Sequence, residues 1–224
     1  MHAYAPGRGR SSWLTVAAAF CGLVTVACGA GSGSGSGATP ESSTSHTTVE
    51  PAYMAAYNAG WRAGRRIFDD GGKGAAVREV VWGGCVRRSL TARPHDVVDQ
   101  DRGAWVLGCR QGVGTGSDRH PPAGQVTRRE PDPDLLRRFR SWAAAHGEQQ
   151  PARYADQVVL IHLGERDYDV EVTGTYTDEN AKAEARRLAD AFTTWWDGDD
   201  GDGRAWNLIV TDSAEHRLST RALS

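Results

Sequence analysis

The spacing of apolar residues changes along this 224-residue chain, and each change predicts a different element. Between residues 51 and 68, aromatic and small residues recur every fourth position, which is the spacing of neighbours on one helix face. An aromatic ridge beside a small-residue groove predicts a helix that packs closely against another helix, with an aromatic binding face as the alternative. The ridge consists of Tyr53, Tyr57 and Trp61, and the groove of Ala56, Gly60 and Gly64.

Shorter elements complete a predicted helical module over residues 51–116. The run "DDGGKG" (69–74) predicts the end of the first helix, because glycine weakens helices. A second helix is predicted over 75–90, with one apolar stripe. The run "GAWVLGC" (103–109) predicts a short strand. The stripe consists of Val77, Val81 and Cys85.

Residues 132–224 form a second predicted module, with clearer helix and strand patterns. A linker is predicted before it, over residues 117–131, because proline, glycine and charge occur there without a period. The pair Asp132-Pro133 predicts a helix start, and Gly147 predicts its end. The continuous apolar run 158–163 predicts a central strand.

Residues 168–176 alternate between apolar and polar side chains, which predicts a strand with one face in the core. A helix capped by Thr177 or Asp178 follows, and strands are predicted over 205–211 and 216–223. The order α-β-β-α-β-β predicts an α+β fold, with an antiparallel or mixed sheet and helices on one face. The predicted inward residues are Tyr168, Val170, Val172 and Tyr176, and the outward residues are Asp169, Glu171, Thr173 and Thr175.

The N-terminal segment predicts export from the cytoplasm. Arg8 and Arg10 precede an apolar core of 15 residues, from 13 to 27. This length suits the core of a signal peptide and is short for a bilayer span of about 20 residues. Residues 1–27 are therefore predicted to be a signal peptide.

The segment Thr25-Val26-Ala27-Cys28 resembles the lipobox of bacterial lipoproteins. This resemblance implies that the Cys28 thiol receives a diacylglyceryl group and that acyl chains such as palmitate anchor the protein. Residues 28–50 then read as a Gly/Ser-rich, polar tether, which suits a domain held off a membrane. The expected location is the extracytoplasmic face of the cell membrane, with the membrane as partner. A secreted protein with an incidental cysteine and an uncleaved anchor helix are the alternatives.

Charge and composition narrow the partners further. The formal net charge is −2, with a balance of +5 over residues 51–130 and −7 over residues 131–224. This asymmetry supports two modules. The density of positive charge in the first of them is too low for the basic face of a nucleic-acid binder. Arginine supplies the positive charge except at Lys73 and Lys182, which indicates a GC-rich genome such as that of an actinobacterium. Together with the lipobox, this predicts an actinobacterial lipoprotein.

Cys85 and Cys109 are the cysteines of the exported part besides Cys28. Exported domains occupy oxidising compartments, so this pair predicts a structural disulfide. A redox pair or a pair of metal ligands is the alternative, but the spacing is unlike a Cys-x-x-Cys motif.

The search for chemistry yields no cofactor or metal motif. The acidic run 197–203 lacks the glycine and glutamate positions of a calcium-binding loop, which predicts a solvated turn, with a looser calcium site from Asp197, Asp199 and Asp200 as the alternative. The glycines of 111–117 lack the spacing of a phosphate-binding loop. Four residues remain as a candidate ligand rim, with core packing and a buried histidine as alternatives. They are Trp195, Trp196, Trp206 and His162.

The stretch "VEVTGTYTDENAKAEARRLADAF" (170–192), together with the element order, is similar to the BON family of small envelope domains. Some members of this family bind phospholipid, so the resemblance implies an envelope domain that contacts lipid. The sequence as a whole predicts a non-catalytic, membrane-anchored binding or envelope-associated lipoprotein, with an envelope protein, peptide, sugar or lipid as partner. A BON-like phospholipid-contacting module and a secreted hydrolase of unfamiliar type are the alternatives.

Overall fold

Helices occupy the first part of the folded chain and alternate with strands in the second. The computed structural model describes residues 50–114, 118–176, 180–196, 198 and 203–223. The predicted signal peptide, Cys28, the tether up to residue 49, the cap at 177–178 and most of the acidic run lie outside these residues. The elements are α1 (Ala52–Val80), α2 (Gly84–Ser89), α3 (His95–Gln100), α4 (Arg102–Gly112), β1 (Arg128–Pro131), α5 (Pro133–His146), α6 (Gln149–Ala152), β2 (Ala155–His162), β3 (Asp167–Gly174), α7 (Ala181–Trp195), β4 (Arg204–Thr211) and β5 (Arg217–Ala222).

The predicted small-residue groove on α1 is confirmed, and α4 fills it. A Cβ added at Gly60 would lie 2.0 Å from the carbonyl oxygen of Trp105. On the other helix, a Cβ added at Gly108 would lie 2.1 Å from the carbonyl oxygen of Tyr57. Since real Cβ atoms do not approach an oxygen so closely, the two backbones touch where only glycine fits.

The prediction of a strand at 103–109 is wrong, because these residues belong to helix α4. The Asp101 side chain caps this helix by accepting a hydrogen bond from the backbone N–H of Ala104 at 3.0 Å. Ala104, Gly108 and Gly112 then form a four-residue step that matches the groove on α1. The apolar run 103–109 is too short to distinguish the helical period of 3.6 residues from the strand period of 2. The contact with α1 makes it a helix.

The predicted helix boundaries after residue 68 are also wrong. Helix α1 continues through the "DDGGKG" run with a kink at Gly72, which has a φ of 58°. It ends at Val80, and Gly83, in the left-handed region with a φ of 67°, separates it from α2. The predicted stripe does not form, because Val77 and Val81 are exposed whereas Cys85 is fully buried.

The predicted disulfide is confirmed. Cys85 of α2 and Cys109 of α4 are bonded, with their Cα atoms 5.9 Å apart. Both residues are fully buried in the core that α1 and α4 share. The bond therefore ties α2 to the helix pair from inside.

The sheet has five strands in the order β1-β2-β3-β4-β5, and it is mixed as one predicted alternative allowed. Strands β3 and β4 are parallel because α7 crosses between them, and the remaining neighbours are antiparallel. Residues 128–131, predicted as part of the linker, form the edge strand β1. All four are exposed, which is why no apolar alternation marks this strand.

Helices α5 and α7 cover one face of the sheet, as predicted for the second module. Their core includes the predicted inward residues Val170 and Val172, both fully buried. The helical part covers the opposite face, since Ile161, Leu163 and Trp206 share its core. The prediction of an outward, solvated face on β3 is therefore wrong at Asp169 and Glu171, which are 0% and 8% exposed.

The contact between α1 and α4 generates a stability prediction. Gly60→Ala forces a methyl group onto the backbone of α4 and should lower the free energy of unfolding by about 2–3 kcal/mol. Gly74→Ala, a control in the same helix with nothing near its added Cβ, should change it by less than about 1 kcal/mol. Urea unfolding of the purified proteins measures both, and equal stabilities would contradict the contact.

Candidate functional site

The structure does not bring the four predicted rim residues together. Trp195 and Trp196, at the end of α7, are half-buried against the core between the sheet and α5 and α7. The ring of Trp195 lies 5.4 Å from that of Phe139, and the ring of Trp196 lies 5.9 Å from that of Phe192. Trp206 is 4% exposed in the core on the opposite face. His162 pairs across the sheet with Tyr168, and its Nε2 lies 3.4 Å from a carboxylate oxygen of Glu130.

A β-bulge explains why Trp206 faces the helical layer. Tyr168 pairs with Ala205, but Val170 pairs with Leu208, so β4 has two residues where β3 has one. This shift turns Trp206 away from the face that holds Ala205 and Leu208. Sequence alternation alone would have placed Trp206 with Leu208.

Two carboxylates of β3 join the sheet to α4. Asp167 accepts hydrogen bonds from Arg110 Nη1 and from Trp206 Nε1, both at 2.5 Å. Asp169 accepts from Arg102 Nη2 at 2.5 Å and from Asn207 Nδ2 at 2.7 Å. Arg102 and Arg110 lie eight residues apart on α4, about two helical turns, so both reach the same face of the sheet.

The surroundings shift the two carboxyl groups in opposite directions. Burial raises the pKa of Asp167, but its hydrogen bonds with Arg110 and Trp206 outweigh burial and hold the pKa below the usual value. Burial raises the pKa of Asp169, and Arg102 and Asn207 oppose this effect. Both groups are engaged in bonds between layers, which is a structural role.

A second titratable cluster surrounds the disulfide. A carboxylate oxygen of Glu79 and the sulfur atoms of Cys85 and Cys109 lie within 4.8 Å of one another. Both sulfurs are bonded to each other, and Glu79 accepts hydrogen bonds from Arg88 Nε on both oxygens at 3.0 Å. The disulfide leaves no thiolate for a metal, so this cluster also stabilises the fold.

The helical layer covers only part of its face of the sheet, and the uncovered part forms a cavity of about 700 Å³. Side chains from all five strands form its floor, and residues from α3, the segment before β1 and the β4–β5 turn form its walls. The floor consists of Arg129, Ile161, Glu171, Ile209, Thr211 and Arg217.

Asp101 holds one wall of this cavity in place. Its carboxylate is 1% exposed and accepts hydrogen bonds from the backbone N–H groups of Val126 at 2.7 Å and Thr127 at 2.9 Å. The hydroxyl of Thr127 donates a further bond to it at 2.6 Å. The residue that caps α4 therefore also fixes the segment leading into β1.

The charges around the cavity balance. Arg129 forms an ion pair with Glu171 across the floor, and Arg217 Nη1 donates to the carbonyl oxygen of Leu90 at 3.0 Å. Three arginines and three acids line the cavity, together with two threonines and two glutamines. The arginines are Arg102, Arg129 and Arg217, and the acids are Asp99, Glu171 and Glu215.

Sequence reasoning missed this site because its residues come from five separate stretches of the chain. The acids at every second position of β3 (Asp167, Asp169 and Glu171) were the available signal, since they mark one face of that strand. Alternation along β3 predicts Asp169 and Glu171 as solvent-facing, and Asp167 lies in the predicted turn, because helices are predicted on only one face of the sheet. In the structure α4 supplies Arg102 and Arg110 as the partners of Asp169 and Asp167.

No protein-family model matches the chain, and no curated protein or solved structure is significantly similar to it. The likenesses to lipoprotein signals and to BON domains therefore stay predictions from the sequence. Among the helices that the structure describes, none has the length and apolarity needed to cross a bilayer.

The ion pair between Arg102 and Asp169 generates a second stability prediction. Asp169→Ala leaves Arg102, which is 9% exposed, without its carboxylate and should lower the free energy of unfolding by about 3–5 kcal/mol. The double variant Arg102→Met with Asp169→Ala should lose less than the single variant, because no buried charge remains. Asp156→Ala, at an exposed position of β2, is the control and should be nearly neutral. Urea unfolding measures these losses. If the double variant lost the sum of the free energies lost by Arg102→Met and Asp169→Ala singly, the two residues would not be coupled.

Proposed function

We propose that this protein is a lipid-anchored, extracytoplasmic binding protein that holds a small polar ligand in the sheet-face cavity. The acylated residue is Cys28, and the folded part from residue 50 onward carries the binding site. The observation behind the proposal is the cavity itself, where a sheet face is left open beside a helical layer that covers the rest. Its volume of about 700 Å³ lies within the usual range for small-molecule sites.

The disulfide supports an extracytoplasmic location. Disulfides form and persist in oxidising compartments and are rare in the cytosol. Cys85 and Cys109 are bonded and fully buried. This agrees with a signal peptide over residues 1–27 and with processing at Cys28.

The cavity's chemistry favours a ligand that carries both charge signs. Arg129 is half exposed at the cavity, and its partner Glu171 is 11% exposed in its side chain. A zwitterion such as an amino acid or short peptide can place its carboxylate near Arg129 and its amine near Glu171, so the site stays neutral. Asp101 has already ordered one wall, which lowers the entropy lost on binding.

Binding is favoured over catalysis because the acidic side chains are engaged in ion pairs and hydrogen bonds within the protein. Catalysis by acid–base pairs needs a group that can reach the substrate and exchange a proton. On the cavity floor, Glu171 is held in an ion pair with Arg129. Asp167 and Asp169, which do not line this cavity, are held by arginines of α4. In the turn between β4 and β5, Asp212 accepts hydrogen bonds from the backbone N–H groups of Ala214 at 2.9 Å and His216 at 2.8 Å, so it shapes the turn.

The lipid anchor has a direct test. Cys28→Ser should abolish incorporation of labelled palmitate and release the protein from the membrane fraction, because the thiol is the acylated group. Cys21→Ser removes the other cysteine of the apolar core and should leave labelling unchanged. Persistent labelling of the Cys28→Ser protein would contradict the anchor.

The cavity has an independent test with dipeptides and neutral sugars as probes. Dipeptides at millimolar concentration should raise the melting temperature, because they bind only the folded state. Arg129→Ala should weaken dipeptide binding by about tenfold or more, as expected for loss of a charge-assisted hydrogen bond. Arg128→Ala, the neighbouring residue on the other side of β1, is the control. Stabilisation by sugars alone would contradict the ligand class.

A further inference from the structure

A continuous apolar patch is exposed where α1 ends. Its members are 43% to 58% exposed, and they are the large hydrophobic side chains left exposed in the described part of the chain. Scattered apolar residues are ordinary on a surface, but a contiguous set marks an interaction site. The Val–Trp patch consists of Val77, Val80, Val81 and Trp82.

Within residues 73–88, which carry the patch, the exposed charged residues are all basic, and the exposed acids Asp69 and Asp70 precede the kink at Gly72. In the segment 73–88, the basic residues are exposed, whereas the acid Glu79 is 2% exposed and bonded to Arg88. An apolar centre with a basic border is complementary to a surface that offers hydrocarbon beneath negative charge. The basic border consists of Lys73, Arg78, Arg87 and Arg88.

The fold holds the patch in place instead of leaving it as a loose helix end. A Cβ added at Gly83 would lie 2.3 Å from the ring of Trp206, so the turn after Trp82 lies directly on the core. Arg87 donates a hydrogen bond from Nη2 to the carbonyl oxygen of Trp82. Cys85, which forms the disulfide with Cys109, lies two residues after Gly83. Trp82 is thus displayed on a fixed turn.

From these observations we infer that the Val–Trp patch docks on the bilayer surface, with Trp82 at the level of the headgroups and the basic border on anionic phospholipids. Tryptophan favours the membrane–water interface, and exposed valines add apolar area on the same side. Arginine and lysine near the surface are attracted to anionic lipid. A bilayer therefore fits both parts of the patch.

The lipid anchor makes this contact geometrically feasible, and the inference rests on that proposed anchor. Helix α1 has 29 residues and so spans at most about 43 Å from its start to the patch. The 21 residues 29–49 can cover at most about 70 Å when extended. The covalent distance therefore allows both the acylated Cys28 and the patch to reach one membrane. A tethered surface also needs little intrinsic affinity, because the anchor keeps its concentration at the bilayer high.

Tryptophan quenching by brominated lipid tests the inference. The purified, acylated full-length protein is reconstituted into vesicles containing phosphatidylglycerol with brominated acyl chains, and its emission is compared with that in unbrominated vesicles. The wild type should show quenching, and Trp82→Phe should lose most of it. Trp142→Phe is the matched control, since Trp142 is half-buried on α5 against the core of the other sheet face, and it should retain the wild-type quenching.

A second pair of measurements tests the charge border. Arg78→Glu and replacement of phosphatidylglycerol by phosphatidylcholine should each reduce the Trp82-dependent quenching. Equal quenching in both lipids would overturn the role of anionic headgroups. Circular dichroism and thiol titration confirm that each variant keeps its fold and disulfide.

The outcomes separate the docking surface from the anchor. Acylated protein without Trp82-dependent quenching overturns the docking surface and leaves the anchor intact, whereas absence of palmitate on Cys28 overturns the anchor. A dimer that Val81→Asp dissociates in sedimentation would show that a second copy covers the patch, and it would overturn the inference. Loss of quenching in Trp82→Phe and Arg78→Glu, with Trp142→Phe unchanged, supports it.

Discussion

The backbone contact between α1 and α4 is the constraint on which the rest of the structure depends. Four glycines bring the helices so close that any side chain would meet a main-chain oxygen. Such contact leaves α4 little freedom to slide or rotate, and the buried disulfide then fastens α2 to the same pair. The glycines are Gly60, Gly64, Gly108 and Gly112.

A fixed α4 explains how two arginines can be buried against a sheet. Arg102 and Arg110 meet Asp169 and Asp167 because the helix holds them two turns apart over one strand. Buried ion pairs add little net stability, but their geometry specifies one arrangement, since a displaced α4 would leave buried charges without partners. The bulge at Trp206 contributes to this arrangement, because it brings an indole N–H to Asp167.

The candidate cavity and the exposed patch both follow from the limited size of the helical layer. Because α4 is only 11 residues long, it covers the Asp167–Asp169 part of the sheet face and leaves Glu171 and its neighbours to line the cavity. At the end of α1, the kink and the turn at Gly83 direct Val80 to Trp82 away from the core. On a lipid-anchored protein, these features would offer a polar ligand site and a membrane-facing surface.

The sequence by itself determined the first part of helix α1, the helices α5 and α7, the strands β2 to β5, the α+β class and the disulfide. These depend on local period, on capping residues such as Asp132, and on the one cysteine pair that follows the predicted tether. It also carries the predicted signal peptide and Cys28 anchor.

Only the tertiary structure decided the rest, because the deciding contacts join residues far apart in the chain. Whether 103–109 is a helix or a strand depended on a groove about 45 to 50 residues earlier, and the burial of Asp169 depended on an arginine 67 residues away. The edge strand β1 has no apolar pattern because all of its residues are exposed. The cavity combines five separate stretches of the chain, so no single stretch of the sequence could have indicated it.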